Sequence, residues 1–376
     1  MIRILHTADL HLGAPFPALG ERAGERQGAF LATFERLITL AIKSEVQLFL
    51  VAGDLFDGPR PEAAVVGRVQ SGLKRLADRG ILPVLLPGTH DHLVDADSVY
   101  RRAEFPGAVV LTEPVVGEPV RVAVKGEEVY LYGFAYNSFA SADALGGMAR
   151  RAEEGIHIGL LHGSRQGSPE WEHRKKDLPF TPATLCAWNL DYVALGHYHR
   201  FEIIEENGRA LACYPGSPEG KRFGENGPRY AALVTVGPGS ANIEKVAVQT
   251  QVMEEGSIDL SGCEDAGRAA AAIVALGRPD LLLRLALTGI VEAPLDLAAL
   301  HARCRDAFFH LDFDDRTRLF DSDFAARIGA EETVRGLFVR RARHLLEEAP
   351  AAERPLVEEA FREVLVRFRA FGRGAE

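Results

Sequence analysis

Five short apolar runs, each followed at once by a polar cluster, constrain this chain more than any other feature of its sequence. The runs are Ile2–Leu5, Leu48–Ala52, Ile81–Leu86, Ile156–Leu161 and Tyr192–Leu195. Runs of this length that end in glycine or aspartate turns are typical of buried strands in a sheet covered on both faces. The loops after such strands meet at one edge of the sheet, where open α/β folds bind their ligands. We therefore expect the five clusters to form one site.

Histidine and aspartate dominate these clusters, and cysteine is absent from them. The clusters are Asp9-Leu10-His11, Gly53-Asp54, Gly88-Thr89-His90-Asp91, His162-Gly163 and Gly196-His197-Tyr198-His199. Imidazole nitrogen and carboxylate oxygen without thiolate suit divalent Mn, Fe, Zn or Co, and argue against a structural zinc knot. A carboxylate on a tight turn, such as Asp54, can bridge two ions roughly 3.5–4 Å apart, and paired ions activate water for attack on a phosphate ester. His90 is then a candidate acid for the leaving group, or a charge stabiliser.

The order of these clusters resembles that of the calcineurin-like metallophosphoesterase superfamily. Three segments are similar to a narrower branch, the SbcD and YhaO-like DNA repair exonucleases. The three segments are His6–Gly13, Gly53–Asp57 and Tyr214–Glu219. The close match covers residues 1–240, and the remainder agrees mainly in layout. The resemblance implies a four-layer α/β/β/α sandwich with a small α/β cap domain and a C-terminal helical tail.

The resemblance also implies two divalent ions, manganese in this family, and it supplies their ligands. One ion would be held by Asp9, His11, Asp54 and His199. The second would be held by Asp54, the residue at position 89, His162 and His197. The catalytic residues that it implies are Asp54, between the ions, and His90, which assists catalysis without being a principal ligand.

One ligand position departs from the family pattern, because Thr89 stands where the family has asparagine. The amide oxygen of that asparagine binds the second metal, whereas a threonine hydroxyl lies one bond closer to the backbone. We expect the second ion to be bound more weakly here than in close relatives. The activity would then be reduced, or more dependent on metal concentration.

Composition and termini set the outer limits. The chain has 376 residues and 47% hydrophobic content, which permits a large core and two or three domains. The four cysteines have no metal-type spacing and indicate a reduced protein: Cys186, Cys213, Cys263 and Cys304. The first strand begins almost at the N-terminus and no apolar run is long enough to cross a bilayer. We expect a cytoplasmic protein without a membrane segment.

The net charge of −10 is not that of an average nucleic-acid binder. Phosphate contact is nevertheless a local, salt-screened effect, and bound ions neutralise carboxylates at a metal site. Basic residues near the ligand clusters predict a rim that binds DNA phosphates: Arg165, Arg174, Lys175, Lys176, Lys221 and Arg222, with Arg22, Arg26 and Arg229 beside them. An ordinary solvated loop is the alternative explanation for residues 173–176.

The layout predicts a domain of residues 1–240, a capping domain of residues 245–320 and a helical tail of residues 325–376. Helices are expected at Phe30–Ser44 and Glu62–Arg79, a hairpin at Val120–Phe134, and a last strand at Tyr230–Val236 before an edge at Gly237–Ser240. This β-α-β alternation favours an α/β sandwich.

Two amphipathic helices are predicted in the tail, at Glu331–Glu348 and Leu356–Phe371. The second has one apolar stripe: Val357, Phe361, Val364, Leu365 and Phe368. Such a stripe packs on its own domain or docks on a partner. In the SbcD family the corresponding tail binds the coiled-coil base of an SMC-like ATPase, of the SbcC or YhaN type, so we favour the partner.

The sequence therefore predicts a metal-dependent DNA exonuclease that hydrolyses phosphodiester bonds in DNA repair. Family relatives commonly act also as endonucleases, and they form homodimers through helices near the phosphoesterase core. Two alternatives stay open at this stage. One is a phosphodiesterase or phosphatase for a small molecule or nucleotide, because the metal core alone does not define the substrate. The other is a weakly active DNA-binding scaffold, which the threonine at position 89 suggests.

Overall fold

The structure is a computed structural model that describes residues 1–136, 142–151, 154–170, 178–261, 263, 265–291, 294–320, 322–350 and 352–372. The chain divides into two compact units, Met1–Val252 and Met253–Glu376. Within the described ranges, no helix has both the length and the hydropathy that a bilayer crossing needs.

Two six-stranded sheets form the centre of the first unit. Their strands are β1 (Ile2–Thr7), β2 (Leu48–Ala52), β3 (Leu82–Leu86), β4 (Val109–Val110), β5 (Val120–Val124), β6 (Glu127–Gly133), β7 (Ile156–His162), β8 (Tyr192–Gly196), β9 (Glu202–Glu206), β10 (Arg209–Tyr214), β11 (Tyr230–Gly237) and β12 (Ser240–Ala247). One sheet has the order β12-β11-β1-β2-β3-β4 and the other β5-β6-β7-β8-β10-β9. The five predicted buried strands are β1, β2, β3, β7 and β8.

Helices cover the outer faces of both sheets. They are α1 (Ala23–Lys43), α2 (Ala63–Ala77), α3 (Val99–Arg102), α4 (Ala142–Gly146) and α5 (Pro182–Trp188), with a 3₁₀ turn at Pro17–Arg22 before α1. Phe34 and Leu73 pack with Phe49 on the outside of the first sheet. Leu185 and Trp188 pack with Leu195 on the outside of the second. A third core, which includes Ile4, Leu50 and Ile158, fills the space between the sheets. The first unit is therefore the predicted α/β/β/α sandwich.

Parallel pairing brings the strand ends of the predicted site together. β1, β2 and β3 are parallel neighbours, and so are β7 and β8. The two sheets approach closely where β2 and β8 end, because a Cβ on Gly196 would lie only 1.9 Å from the Ala52 carbonyl oxygen. Glycine is thus required at position 196. The carboxyl ends of five strands from two sheets consequently open at one place.

Two boundaries differ from the prediction. Helix α1 begins at Ala23 rather than Phe30, because the expected start rested on an apolar stripe that its first turns, with Gly24 and Gly28, do not carry. The segment Gly237–Ser240 is the turn between β11 and β12 rather than the edge of a domain. Strand β12 pairs with β11 along its whole length, and the first unit continues to Val252.

The second unit contains a three-stranded sheet, a two-stranded sheet and helices. Its strands are β13 (Val252–Asp259), β14 (Leu281–Thr288), β15 (Ile290–Val291), β16 (His310–Asp315) and β17 (Arg318–Leu319). Its helices are α6 (Ala266–Val274), α7 (Leu297–Cys304), α8 (Ser322–Gly329), α9 (Val334–Glu348) and α10 (Arg354–Gly372). Asp265 and Asp296 cap α6 and α7 by accepting hydrogen bonds from backbone amides of the first turn. The second unit therefore contains both strands and helices.

Helices α8, α9 and α10 share one small core, which includes Ile328, Val339, Phe361 and Leu365. Three residues of the α10 stripe, Phe361, Leu365 and Phe368, therefore pack inside the tail, which favours the alternative that this stripe packs on its own domain. A different apolar face remains open on α9. Its residues Val334, Leu337 and Leu345 are 86%, 58% and 49% exposed.

Candidate metal centre

The five ligand clusters converge at the carboxyl ends of their strands. Asp9 and His11 follow β1, Asp54 follows β2, Thr89 and His90 follow β3, His162 ends β7, and His197 and His199 follow β8. Ligand atoms of Asp9, His11 and His199 all lie within 4.8 Å of one another. The same holds for Asp9, Asp54 and His162. Asp9 belongs to both groups, so the two groups form one continuous site.

Asp54 lies in the middle of this site. Its Oδ2 accepts a hydrogen bond from Thr89 Oγ1 at 3.1 Å and lies 3.5 Å from His162 Nε2. The Thr89 hydroxyl oxygen is 3.3 Å from the same His162 nitrogen, and the His197 ring centroid is 5.2 Å from that of His162. The other oxygen, Asp54 Oδ1, accepts the His90 amide at 2.8 Å. The Thr89 hydroxyl therefore lies beside two of the predicted metal ligands, Asp54 and His162.

Three histidines of the site are fixed through Nδ1, which leaves Nε2 for an ion. His162 Nδ1 donates to the Ala52 carbonyl at 3.0 Å. His199 Nδ1 is 2.8 Å from Glu225 Oε1, and His11 Nδ1 is 3.2 Å from Asp57 Oδ1. Carboxylate or carbonyl partners of this kind hold the ring and the tautomer of metal-binding histidines. The Nε2 atoms of His11 and His199 are 3.3 Å apart.

The backbone at the ligands is strained. Asp9, His11, Asp54 and His197 have φ values of 53°, 46°, 51° and 102°, in the left-handed region. Residues with a side chain adopt this region at a cost of order 1–3 kcal/mol, and such residues concentrate at functional sites. Neighbouring space is also limited, because a Cβ on Gly88 would lie 2.2 Å from Asp54 Oδ1. The local backbone conformation therefore directs these side chains into the site.

Burial and mutual charge shift the pKa values of the ligands. Burial raises the pKa of Asp9 to about 7. Burial also opposes ionisation of Asp54, but the charge and hydrogen bond of His162 outweigh it and hold the pKa of Asp54 well below its ordinary value. Burial alone would lower the pKa of His162, whereas the Asp54 carboxylate raises it to about 9. In this structure a proton on His162 thus compensates buried carboxylates.

Two other histidines, His11 and His197, suit metal binding at neutral pH. Burial lowers the pKa of His11 to about 4 and that of His197 to about 3, so both rings are neutral with a lone pair available. A divalent cation would compensate the buried carboxylates in place of the His162 proton, because metal ligands bind in their deprotonated forms. The donor set and its charge balance therefore fit divalent cations bound by nitrogen and oxygen.

His90 lies on the open side of the site. Its side chain is 43% exposed, its Nδ1 is 3.1 Å from the Asp57 carbonyl oxygen, and its ring centroid is 4.6 Å from that of His11. If Nδ1 donates to this carbonyl, Nε2 is left towards the solvent-accessible side. This position is open to a substrate, and ligand atoms of His90, His11 and Asp57 also lie within 4.8 Å of one another.

The predicted basic rim is only partly accessible. Arg165 is paired with Glu202, and Lys221 with Asp57. Arg222 is 81% exposed and lies 3.3 Å from Glu225. Three members of the predicted set, Arg174, Lys175 and Lys176, lie outside the described residues. The placement of two further residues in the rim was wrong: Arg26 is fully buried, and Arg229 is 6% exposed and donates to the His199 carbonyl.

Three supporting carboxylates were not predicted. Asp57 and Glu225 hold His11 and His199, as described above. Asp91 accepts hydrogen bonds from Gly88 N, Phe56 N and the Tyr100 hydroxyl, and so ties together the loops after β2 and β3. Asp91 stands inside one sequence cluster and Asp57 ends the segment Gly53–Asp57, and these positions could have identified both residues. Glu225 stands in no cluster, and only the folded loop shows its contact.

A two-sheet sandwich with buried carboxylates and histidines at its strand ends defines the class of metal-dependent phosphoesterases. The calcineurin-like phosphoesterase family model matches residues 2–201, and the chain belongs to this family. The family uses divalent metals, and the residue groups described above are its candidate ligands here.

Curated relatives are similar at modest identity. Bacillus subtilis YhaO, described as an uncharacterized metallophosphoesterase, is 28% identical over 267 residues, which are 69% of this chain and 64% of that protein. The DNA double-strand break repair protein Mre11 of Haloferax volcanii is 26% identical over 70% of this chain and 56% of its own length. The SbcD component of the SbcCD nuclease of Bacillus subtilis is 27% identical over 62% of this chain and 66% of its own length. The chain thus spans less than two thirds of the first two relatives.

Solved structures are similar to part of the chain. TT1561 of Thermus thermophilus has a TM-score of 0.37 and 13% identity, over 65% of this chain and 98% of that one. The calcineurin-like phosphoesterase YfkN of Bacillus subtilis has a TM-score of 0.39 and 14% identity, over 66% and 90%.

Proposed function

We propose that this chain is a two-metal-dependent DNA nuclease that hydrolyses phosphodiester bonds in DNA repair, acting as an exonuclease and also as an endonuclease. The observation that carries the proposal is the convergence of Asp9, His11, Asp54, Thr89, His162, His197 and His199 beside an open His90. Relatives named as part of a nuclease and as double-strand break repair proteins support DNA as the substrate.

The chain's own residues would act as follows. One ion would be held by Asp9, His11 and His199 and the other by Thr89, His162 and His197, with Asp54 between them. Paired divalent ions at such a centre bind a phosphate ester and activate a water molecule. His90 keeps Nδ1 on the Asp57 carbonyl, and when protonated on Nε2 it gives that proton to the leaving oxygen. Manganese is the metal we propose.

DNA contact would come from basic residues close to the centre. Lys221 and Arg222 lie on the loop that carries Glu225, and Arg165 follows β7 by three positions. Their contribution would be electrostatic and salt-dependent. Together with Arg174, Lys175 and Lys176, they are proposed to track the phosphate backbone.

A specific observation favours a second candidate, a phosphodiesterase for a small molecule or nucleotide. The three described members of the basic rim, Arg165, Lys221 and Arg222, each lie beside a carboxylate, and the chain has a net charge of −10. A small ester needs no extended basic surface, because the ions alone bind its phosphate. The substrate test must therefore include both classes.

The test is hydrolysis of end-labelled double-stranded and single-stranded DNA with Mn²⁺, beside a small chromogenic phosphodiester. His90→Ala should lower DNA cleavage by about 10²–10⁴-fold, the usual contribution of a general acid. His344→Ala is a matched control, because His344 is a 65% exposed histidine of the second unit. Hydrolysis of the small ester alone would favour the second candidate. DNA cleavage that survives in His90→Ala would remove His90 from the mechanism.

We also propose a coiled-coil SMC-like ATPase as partner, a homodimeric assembly and a cytoplasmic location. The apolar face of α9 supports a helical partner, because Val334, Leu337 and Leu345 are exposed along one side of that helix. Leu337→Glu should weaken association with such an ATPase. Leu276→Glu, at a leucine 45% exposed beyond α6, should leave association unchanged, and equal binding of both variants would count against the α9 face.

A further inference from the structure

A buried ion pair of Arg26 with Glu219 lies inside the first unit, outside the set of metal ligands. Arg26 is 0% and Glu219 is 1% exposed, and Arg26 Nη1 donates to Glu219 Oε1 at 2.7 Å. The guanidinium also lies over the rings of Phe16 and Phe30, 5.8 and 5.0 Å from their centroids. Arginine is almost never buried to this extent unless it is paired. The Arg26–Glu219 pair therefore fixes the positions of the segments that carry these two residues.

The pair joins three separate segments. The Glu219 carboxylate also accepts Thr33 Oγ1 at 2.6 Å, from α1, and the amides of Thr250 and Gln251 at 2.8 and 3.1 Å. The guanidinium in addition donates to the Gly220 carbonyl and to Gln251 Oε1. Helix α1, the loop at 219–220 and the strand-following segment at 250–251 are thus bound to one carboxylate. A shift of this loop would leave a buried charge unpaired, which is strongly unfavourable.

The next residues of the same loop reach the metal centre. Lys221 is paired with Asp57, and its Nζ is 3.4 Å from His11 Nδ1. The Lys221 amide donates to Glu225 Oε2 at 2.8 Å, while Glu225 Oε1 faces His199 Nδ1 at 2.8 Å. Two histidine ligands are therefore supported from a loop whose start is fixed by Glu219.

We propose that Glu219, held by Arg26, is a positioning residue for the metal centre: it fixes the loop from which Glu225 orients His199 and Lys221 orients the Asp57 that holds His11. The inference rests on the proposed metal centre and adds to it a determinant of metal affinity remote from the ligands. The competing explanation is that the pair only stabilises the fold.

Titration calorimetry with Mn²⁺ separates these explanations, because it measures the affinity for the ions without any substrate. The proteins compared are wild type, Glu219→Gln, Glu225→Gln and the double variant. A glutamine amide at position 219 would meet the donating amides of Thr250 and Gln251, so it cannot keep all the contacts of the carboxylate. Thermal unfolding of each protein measures the loss of stability.

Asp191→Asn is the matched control. Asp191 is 0% exposed, pairs with Arg150, and accepts the amides of His157 and Gly239. It precedes β8, whereas His197 follows that strand, and a strand of five residues is about 16 Å long. The control therefore removes a comparable buried carboxylate that lies at the end of β8 remote from His197.

Glu219→Gln should lower the affinity for one ion about tenfold, as is typical when the support of a ligand is lost. The double variant should lose less than the product of the two single losses, because part of the Glu219 effect passes through Glu225 and His199. Asp191→Asn should lower the unfolding temperature but leave both affinities within about twofold. Unchanged affinities in Glu219→Gln, multiplicative losses in the double variant, or an equal loss in Asp191→Asn would each overturn the proposal.

Two further outcomes have a defined meaning. If Glu219→Gln does not fold, Arg26→Lys replaces it, since lysine keeps the charge but cannot bind Glu219, Gln251 and the Gly220 carbonyl together. Wild-type affinity in folded Arg26→Lys overturns the proposal as well. A wild-type protein that binds no Mn²⁺ would instead refute the metal centre itself, whereas wild-type binding with unaffected variants refutes only the role of Glu219.

Discussion

The two sides of the metal centre are held in different ways. On one side, His11 and His199 are oriented by the carboxylates of Asp57 and Glu225, which come from other loops. On the other side, His162 is oriented by the main-chain carbonyl of Ala52. A main-chain support cannot be lost by substitution of a side chain, whereas a carboxylate can. The first side is therefore open to tuning by remote residues, and the second depends on the quality of its own ligands, Thr89 among them.

The largest effect is expected at the residue that the two sides share. Asp54→Asn keeps an oxygen for the His90 amide but removes the charge that would lie between the ions. Both affinities for Mn²⁺ should fall by more than about 100-fold, beyond the loss that follows when only a ligand's support is removed. Calorimetric titration with Mn²⁺ measures both ions. A variant that loses only one of them would show that Asp54 serves one side alone.

Loss of a supporting carboxylate should lower the affinity for one ion and leave the affinity for the other unchanged. Glu225→Gln removes the negative charge beside His199 and leaves one oxygen where the carboxylate has two, for His199 Nδ1 and for the Lys221 amide. We expect the affinity for one ion to fall about 10–100-fold while the other ion is retained. Glu202→Gln is the control, because Glu202 pairs with Arg165 rather than with a ligand. Equal weakening of both ions would contradict the independence of the two sides.

A smaller effect, of opposite sign, is expected on the second side. Thr89→Asn supplies an amide oxygen that extends one bond further towards Asp54 and His162. The affinity for the weaker ion should rise several-fold, and by no more than about 1.4 kcal/mol, the free energy of a tenfold change. The titration that tests Glu225→Gln also tests this variant. Equal affinities for wild type and Thr89→Asn would remove our expectation that threonine weakens this site.

The smallest effect on metal binding should come from the contact between His6 and Tyr192, which lies on strands β1 and β8 before the site. His6 Nδ1 and the Tyr192 hydroxyl are hydrogen-bonded at 2.8 Å, between β1 and β8. Burial lowers the pKa of His6 to about 3 from 6.5. Protonation therefore favours the unfolded chain, so the stabilisation is complete above pH 6.5 and is lost progressively towards pH 3.

His6→Gln should flatten this dependence. Between pH 7 and pH 5 the wild type should lose about 2 kcal/mol more of its free energy of unfolding than the variant does. Urea unfolding at the two pH values measures the difference, and Mn²⁺ affinities at pH 7 should agree within about twofold. Parallel pH profiles would show that His6 does not titrate between the folded and unfolded states, and a selective loss of one ion would tie His6 to one side.

The central strands were predictable because they are buried on both faces. The run Leu48–Ala52 coincides with β2, since a continuous apolar stretch between polar turns leaves little choice of boundary. Strand β12 was missed because its residues are mostly exposed or half-buried, so its apolar pattern is weak. The start of α1 was misplaced for a related reason, since its first turn carries no apolar stripe.

The convergence of the candidate ligands was predictable for the same reason as the strands, because each follows a buried run directly. Their supports were not, because the contact of Glu225 with His199 depends on the path of a loop. Arg26 shows the limit most clearly. Its place near the first ligand cluster indicated a phosphate-binding surface, but its charge is enclosed by Glu219 and two phenylalanine rings. Sequence proximity does not tell which way a long side chain turns.

The left-handed backbone of Asp9, His11, Asp54 and His197 has a consequence for protein engineering. Glycine adopts this conformation without strain, so replacement by glycine relieves the folded backbone at each of the four positions, although it also gives the unfolded chain more freedom. A library selected for heat resistance alone, without metal, would be drawn towards such replacements. The most heat-resistant variants of this chain would then be those that had lost the candidate metal ligands. Selection for thermostability must therefore be coupled to metal binding from the first round.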